Sequence, residues 1–145
     1  IRGLALVKSV GCTSCHMGGN FAGPALPDGT GFFQKFPVYP GSEYDKKYEL
    51  VKDTGKHDHT KVDADKHMWR VSPWRNVAVT APYFHNGAVK TLDEAVRVMA
   101  KTQLNKELPA NEVSDIVSFL ESLTGKFPEQ KMPRLPATNG TTFFN

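Results

Sequence analysis

The 145-residue chain has no long apolar run and only two cysteines. Crossing a bilayer takes roughly 18 to 20 consecutive apolar residues, whereas the longest apolar stretch near the start is Leu4 to Val7. No membrane span is therefore predicted. Hydrophobic residues make up 39% of the chain and charged residues 23%, which is the balance of a globular protein. The length suits one domain, so we predict a single domain over residues 1–145.

The chain also has only a small excess of positive charge, because its formal net charge is +3. So small an excess offers no strongly basic surface to a polyanion, and binding to nucleic acid is not predicted. The chain begins at Ile1 with no initiator Met, basic n-region or apolar h-region, so we expect either a processed end or an internal cut.

The sequence also lacks the long alternation of apolar and polar residues that is typical of a strand. Three segments instead have apolar residues at helical spacing. These segments are Arg2 to Val10, Thr91 to about Lys101 and Ala110 to about Leu123. Thr91 and Glu94 have the spacing of a capping box at the start of the second segment, and Gly125 follows the third. The sequence therefore predicts a mainly α fold with long ordered loops.

The segments between these helices differ in composition. Residues 18–41 are rich in Gly, Pro and Phe, a pattern typical of an ordered loop whose aromatic rings cover an apolar surface. Residues 43–67 are strongly charged and lack helical or strand period, so we predict a solvated loop there. Its three histidines (His57, His59 and His67) are interpreted as solvated and not as metal ligands. The tail from about residue 126 is predicted to be extended.

The two cysteines lie three positions apart and are followed at once by a histidine: Cys12, Cys15 and His16. Covalent haem needs two thiols about one helical turn apart for its vinyl groups and an adjacent imidazole for its iron. Two other sites use cysteines at this spacing. A thioredoxin-like redox pair usually follows a strand in a βαβ unit. A zinc site takes about four ligands, and the chain has no second Cys pair to complete one. The motif therefore predicts one haem c, held by both thiols and ligated by His16.

Two further contacts to this haem site are left open by the residues alone. The second ring nitrogen of His16 needs a backbone carbonyl, for which the Gly23-Pro24 segment is a candidate, although Pro24 is equally well explained as a loop breaker. The sixth iron ligand has to come from a Met or another His. Met17 follows His16 too closely to reach the opposite face, and Met132 lies in an unsupported tail. Met68 and Met99 remain, and either is equally explained as a core residue.

The segments Trp74 to Gly87 and Thr91 to Val96 closely resemble the C-terminal domain of bacterial di-haem cytochrome c peroxidases. The resemblance extends from the helix before Cys12 to the Pro133–Pro136 tail, and it implies a class I cytochrome c-like fold. Three features depart from the family's pattern: Trp74 replaces a smaller apolar residue, the charged stretch 43–67 is long, and Pro109 stands where a Ser or Thr cap is expected.

Roles for several residues are implied by the resemblance and not by their spacing. Met99 matches the methionine that ligates the C-terminal haem. A calcium ion is implied near the domain interface, held partly by the carbonyls of Thr80 and Pro82 and partly by the N-terminal domain. His85 is expected to face that domain and its haem, or else to be an ordinary hydrogen-bonded histidine. Arg75 is expected to bind a haem propionate, with a plain surface role as the alternative.

The resemblance also implies a function in the bacterial periplasm, since haem is attached outside the cytoplasm. The chain is expected to accept electrons from a small soluble donor, a cytochrome c or a cupredoxin, and to pass them to an N-terminal haem domain that reduces hydrogen peroxide. A homodimer is a further expectation. The alternatives are a chain with its own peroxidase activity after loss of the Met ligand, an independent mono-haem carrier, and a haem that serves only as a structural staple.

Overall fold

The computed structural model describes residues 1–133. Its described part is mainly helical, as predicted, and its α-helices and strands, in chain order, are α1 (Arg2–Val10), β1 (Phe33–Lys35), α2 (Glu43–Tyr48), α3 (His57–Thr60), β2 (Met68–Arg70), α4 (Leu92–Leu104) and α5 (Ala110–Glu121). None of the helices in this range is long and apolar enough to span a bilayer. Residues 126–133 form neither helix nor strand and are exposed; the remainder of the predicted tail lies outside the described residues.

Helices α1 and α5 cross at very short range. Gly3 is buried at the crossing, and a Cβ atom there would lie 2.0 Å from the carbonyl oxygen of Asp115. Only glycine leaves room for such an approach. Val7 of α1 and Ile116 and Leu120 of α5 form the core beside it, in agreement with the apolar stripe predicted for the last helix.

Helix α4 begins with part of the predicted capping box and extends further than predicted. Thr91 caps the helix as predicted, since its hydroxyl accepts from the backbone N–H of Glu94 at 3.4 Å. Glu94 does not complete the box, because its carboxylate accepts from the Tyr48 hydroxyl at 2.5 Å and from Lys47 at 3.0 Å. The helix runs on to Leu104 and ends at Asn105 in the left-handed conformation.

The prediction that residues 43–67 form a solvated loop is wrong. Ser42 and Asp45 form a capping box that starts α2, and Leu50 is completely buried in a second core. The buried members of that core are Phe36, Leu50, Tyr83, Val89 and Val98, of which Tyr83 and Val89 lie in one loop and pair with each other. The apolar residues of the charged stretch, including the adjacent Leu50 and Val51, follow no helical or strand period, so the sequence does not reveal that Leu50 is buried. The two-stranded antiparallel sheet was missed for a similar reason, because strands of three residues are too short to alternate.

Replacing Leu50 with Ala tests whether this stretch belongs to the folded core. We expect a loss of about 2–5 kcal/mol in the free energy of unfolding, since a fully buried leucine leaves a cavity. Val51→Ala is the matched control, because Val51 is 43% exposed, and its effect should stay within about 0.5 kcal/mol. Urea unfolding of both variants measures the difference; equal, small losses would place Leu50 in a solvated loop after all.

Candidate haem site

The Cys12–His16 turn follows directly from the end of α1. Gly11 ends the helix with a positive φ of 107°, and residues Cys12–Ser14 form a single 3-10 turn. The backbone N–H groups of Cys15 and His16 both donate to the carbonyl of Cys12, at 3.4 and 3.1 Å. The two thiols are therefore held about one turn apart on an ordered backbone, as attachment to a haem requires.

Both cysteines are free thiols in a partly buried setting. Burial raises the pKa of Cys12 and of Cys15, which keeps both thiols protonated in the chain as it stands. Within residues 1–133, no group of three or more His, Cys, Asp or Glu side chains is arranged to hold a metal ion. The donors brought together at this turn are two thiols and one imidazole, the set that a covalent haem takes from its attachment motif.

The His16 ring is oriented by a backbone carbonyl, as predicted, but the carbonyl belongs to Phe21. Its oxygen lies 2.9 Å from Nδ1, and because a carbonyl only accepts, Nδ1 carries the proton and Nε2 keeps its lone pair. Burial lowers the pKa of His16, which favours the neutral ring that binds metals, although the backbone near the ring, chiefly the Phe21 carbonyl, opposes that shift. The acceptor is therefore not the expected Gly23-Pro24 segment but Phe21, whose backbone is in the left-handed conformation with φ 54°.

The four methionines divide by exposure. Met17 is 38% exposed and Met132 is 82% exposed, whereas Met68 and Met99 are half-buried. Met99 lies in the last part of α4 and packs against the second core. Val96, one turn earlier on α4, packs against the α1–α5 core, which Cys12 also contacts. Helix α4 thus joins the core beside the attachment turn to the core that holds Met99. The role of Met99 as iron ligand stays a prediction.

The donor chemistry fits haem c. The chain offers two adjacent free thiols, an imidazole with its metal-binding nitrogen available, and thioether sulfurs at Met68 and Met99 in half-buried positions. These are the groups that a covalent His/Met haem takes from a protein.

Arg75, Thr80 and Pro82 are all exposed. The Arg75 guanidinium donates through Nε to the carbonyl of Gly19 at 2.8 Å and so ties its segment to the loop after the attachment turn. The Thr80 hydroxyl donates to the Val77 carbonyl at 3.0 Å. A propionate contact for Arg75 and a calcium site at Thr80 and Pro82 remain predictions.

His85 stacks on Trp69, with ring centroids 4.0 Å apart and 15° between the planes. Its Nε2 has no hydrogen-bond partner among the described residues. It lines an open pocket of about 370 Å³ together with Glu49, Lys52, Asp53 and Asn86. Burial lowers the pKa of His85, and Asp53 opposes that shift. Its role toward another domain and the alternative of an ordinary hydrogen-bonded histidine both stay predictions.

Two of the three remaining histidines, His57 and His67, form hydrogen bonds within their own segment. His57 Nδ1 lies 3.3 Å from the Thr54 hydroxyl, and His67 Nδ1 lies 3.2 Å from the carbonyl of Asp53.

The start of α4 is held by an acid-dependent contact. The hydrogen bond from Tyr48 lowers the pKa of Glu94, and Lys47 adds to that effect. A carboxyl whose pKa is lower in the folded state contributes stability above its unfolded pKa, and this contribution disappears as the pH falls through the folded pKa.

Tyr48→Phe should therefore be less stable than the wild type at neutral pH, and this difference should shrink at an acid pH below the lowered pKa of Glu94. Urea unfolding at both pH values measures this, with Tyr44→Phe as the control on the same helix. A constant difference at the two pH values would show that the hydroxyl acts independently of the Glu94 charge.

Comparison with known proteins gives this geometry a family context. No protein-family model matches the chain. It is 40% identical over 141 residues to the cytochrome c551 peroxidase of Pseudomonas aeruginosa, covering 97% of this chain and 38% of that protein. It is also 40% identical over 143 residues to the cytochrome c551 peroxidase of Nitrosomonas europaea, covering 98% of this chain and 39% of that protein. The chain thus spans about two fifths of the length of these curated relatives.

A solved structure shares the fold. The crystal structure of a MauG-like protein associated with microbial copper homeostasis superposes with a TM-score of 0.63 at 24% identity, over 86% of this chain and 46% of that one. At that identity the likeness concerns the fold alone, and it agrees with the predicted cytochrome c-like class. The sequence identities show that the chain is, over nearly its whole length, a homologue of one segment of these longer cytochrome c peroxidases.

Proposed function

We propose that this chain is an electron-transfer domain with one covalent haem c, the electron-accepting part of a di-haem cytochrome c peroxidase. The observation that carries the proposal is the attachment turn, in which two free thiols precede an imidazole whose Nδ1 is bonded to the Phe21 carbonyl. The matches to relatives more than twice as long support a second domain elsewhere in the protein.

The residues of the chain have separate tasks in this proposal. Cys12 and Cys15 anchor the group, and the Phe21 carbonyl keeps the His16 ring in one tautomer and raises its basicity as a ligand. Met99 would supply the thioether ligand. When bound, the haem supplies a one-electron couple, and a His/Met pair raises its potential, which suits acceptance of electrons from a donor.

The whole protein would act in the periplasm. There it would take electrons from a small soluble cytochrome c or cupredoxin and deliver them to an N-terminal haem domain where hydrogen peroxide is reduced. Calcium at the domain interface, through Thr80 and Pro82, and a homodimer belong to the same proposal. Arg75 would hold a propionate by a charge-assisted hydrogen bond, since its exposed guanidinium keeps donors beyond the one bonded to Gly19.

Stopped-flow mixing separates electron transfer from peroxidase activity in this chain. The oxidised chain mixed with a reduced donor cytochrome should become reduced within the mixing experiment, whereas the reduced or oxidised chain mixed with hydrogen peroxide should show no rapid change. Met99→Ala is the matched control, because an opened coordination position should make the chain reactive toward peroxide. Rapid peroxide turnover by the wild-type chain would contradict the proposal, and a chain inert to donors would leave the haem as a structural staple.

A further inference from the structure

Trp74 covers one face of the His16 imidazole. The two ring centroids are 4.4 Å apart and the planes differ by 21°, which is a stacked arrangement. Phe21 stacks on the same indole at 5.3 Å, and Phe119 of α5 meets it edge-on at 6.2 Å. Phe21 and Phe119 also meet each other edge-on at 5.9 Å. We refer to these four rings (His16, Phe21, Trp74 and Phe119) as the His16 ring cluster.

The indole is held in place by the fold and not by His16 alone. The backbone N–H of Trp74 donates to the Asn20 carbonyl at 3.3 Å, and its carbonyl accepts from Val77 at 3.0 Å. The side chain also packs against the α1–α5 core. A ring fixed from several sides presents a preformed surface to the imidazole, so its contact with His16 costs little additional ordering.

Two contacts in different directions therefore define the position of the His16 ring. The hydrogen bond from Nδ1 to Phe21 acts in the plane of the imidazole, and the Trp74 stack acts on its face. The hydrogen bond resists rotations of the imidazole that move Nδ1 away from the Phe21 carbonyl. The stacked indole of Trp74 resists tilting of the imidazole plane. Together they fix both the direction of Nε2 and the plane of the ring.

The electronic character of the indole adds a second effect. The face of an aromatic ring carries negative charge density, and indole is the strongest such partner for a cation. An imidazole bound to oxidised iron carries more positive charge than one bound to reduced iron. The stack therefore favours the oxidised state and lowers the reduction potential.

We propose that Trp74 is a positioning residue for the iron ligand His16: its indole fixes the plane of the imidazole and tunes the reduction potential downward. This inference rests on the proposed function, since it requires that His16 ligates a haem iron. Trp74 lies outside the attachment motif, and its effect on the reduction potential can be measured.

The variants Trp74→Leu and Trp74→Phe, made in the haem-loaded chain, test the inference. Trp69→Leu is the matched control, because the other tryptophan of the chain stacks on His85, 4.0 Å away, and not on His16. Redox titration gives the potential, and the g-values of the ferric electron paramagnetic resonance spectrum report the orientation of the ligand plane. We expect an upward shift of the potential in Trp74→Leu, a smaller upward shift in Trp74→Phe and none in Trp69→Leu, with altered g-values only in Trp74→Leu.

An unchanged potential together with unchanged g-values in Trp74→Leu would overturn the inference. A lower potential would also overturn it, because that is the result expected if Trp74 served only to exclude water. If Trp74→Leu does not fold, Trp74→Phe decides the question: a small upward shift of its reduction potential supports the inference, and no shift overturns it. A wild-type chain without haem, or with haem not ligated by His16, would instead contradict the proposed function.

Discussion

Replacing both Cys12 and Cys15 with Ala abolishes covalent haem attachment: after denaturation, the double variant retains no haem on the polypeptide. Each single variant keeps at most one thioether link. The expectation follows from the structure of the turn, in which both thiols are free and are set one turn apart on a backbone fixed by hydrogen bonds. Detection of haem on a denaturing gel, with the intact mass of each variant, measures the loss.

Ser14→Ala is the matched control for the cysteine variants. Ser14 lies in the same 3-10 turn, but its side chain is exposed and it carries no thiol. The control should keep the haem in full. Haem that stays on the denatured Cys12→Ala/Cys15→Ala double variant would mean that another residue forms the covalent link, and the assignment of the turn would be wrong.

Met99→His is the second variant with a large expected effect, here on the colour and the potential of the protein. The absorption band that arises from sulfur bound to iron should disappear, and the reduction potential should fall, because an imidazole stabilises the reduced iron less than a thioether does. Optical spectra and a redox titration measure the two changes. The half-buried position of Met99 in a well-packed helix allows a substituted side chain to be held in the same place.

Met68→Leu is the control for Met99→His, because Met68 is the other half-buried methionine. It should leave the sulfur band unchanged. If instead the band survives in Met99→His and is lost in Met68→Leu, then the thioether ligand is Met68. In that case β2, and not α4, supplies the second ligand.

The parts of this fold that can be predicted are those marked in the sequence by a repeated apolar pattern or by a motif of neighbouring residues. The apolar stripe predicted for the last helix consists of Val113, Ile116, Val117, Leu120 and Leu123. Val113, Ile116 and Leu120 are buried, and Val117 and Leu123 are half-buried. Thr91 lies just before an apolar period and caps α4. Cys12, Cys15 and His16 are contiguous, so that their joint presence in one turn needs no knowledge of the rest of the chain.

The parts that could not be predicted depend on contacts distant in sequence or on unusual backbone conformations. Leu50 lies in a charged stretch without apolar period, and packing in one core with Phe36, Tyr83, Val89 and Val98 buries it. The carbonyl that orients His16 belongs to Phe21, whose positive φ is uncommon for a bulky residue and leaves no mark in the sequence. The stack of Trp74 on His16 joins residues 58 positions apart and has no local signature.

The central claim is that one haem is covalently bound to this chain and lies between His16 and a methionine sulfur. The most direct test is the intact mass of the native protein together with its absorption spectra in both oxidation states. The claim predicts a mass that exceeds that of the polypeptide by one haem, the sharp ferrous bands of a six-coordinate c-type haem, and a sulfur-to-iron band in the oxidised state. A colourless protein with the mass of the polypeptide alone, or one that carries zinc at the two thiols, would contradict it.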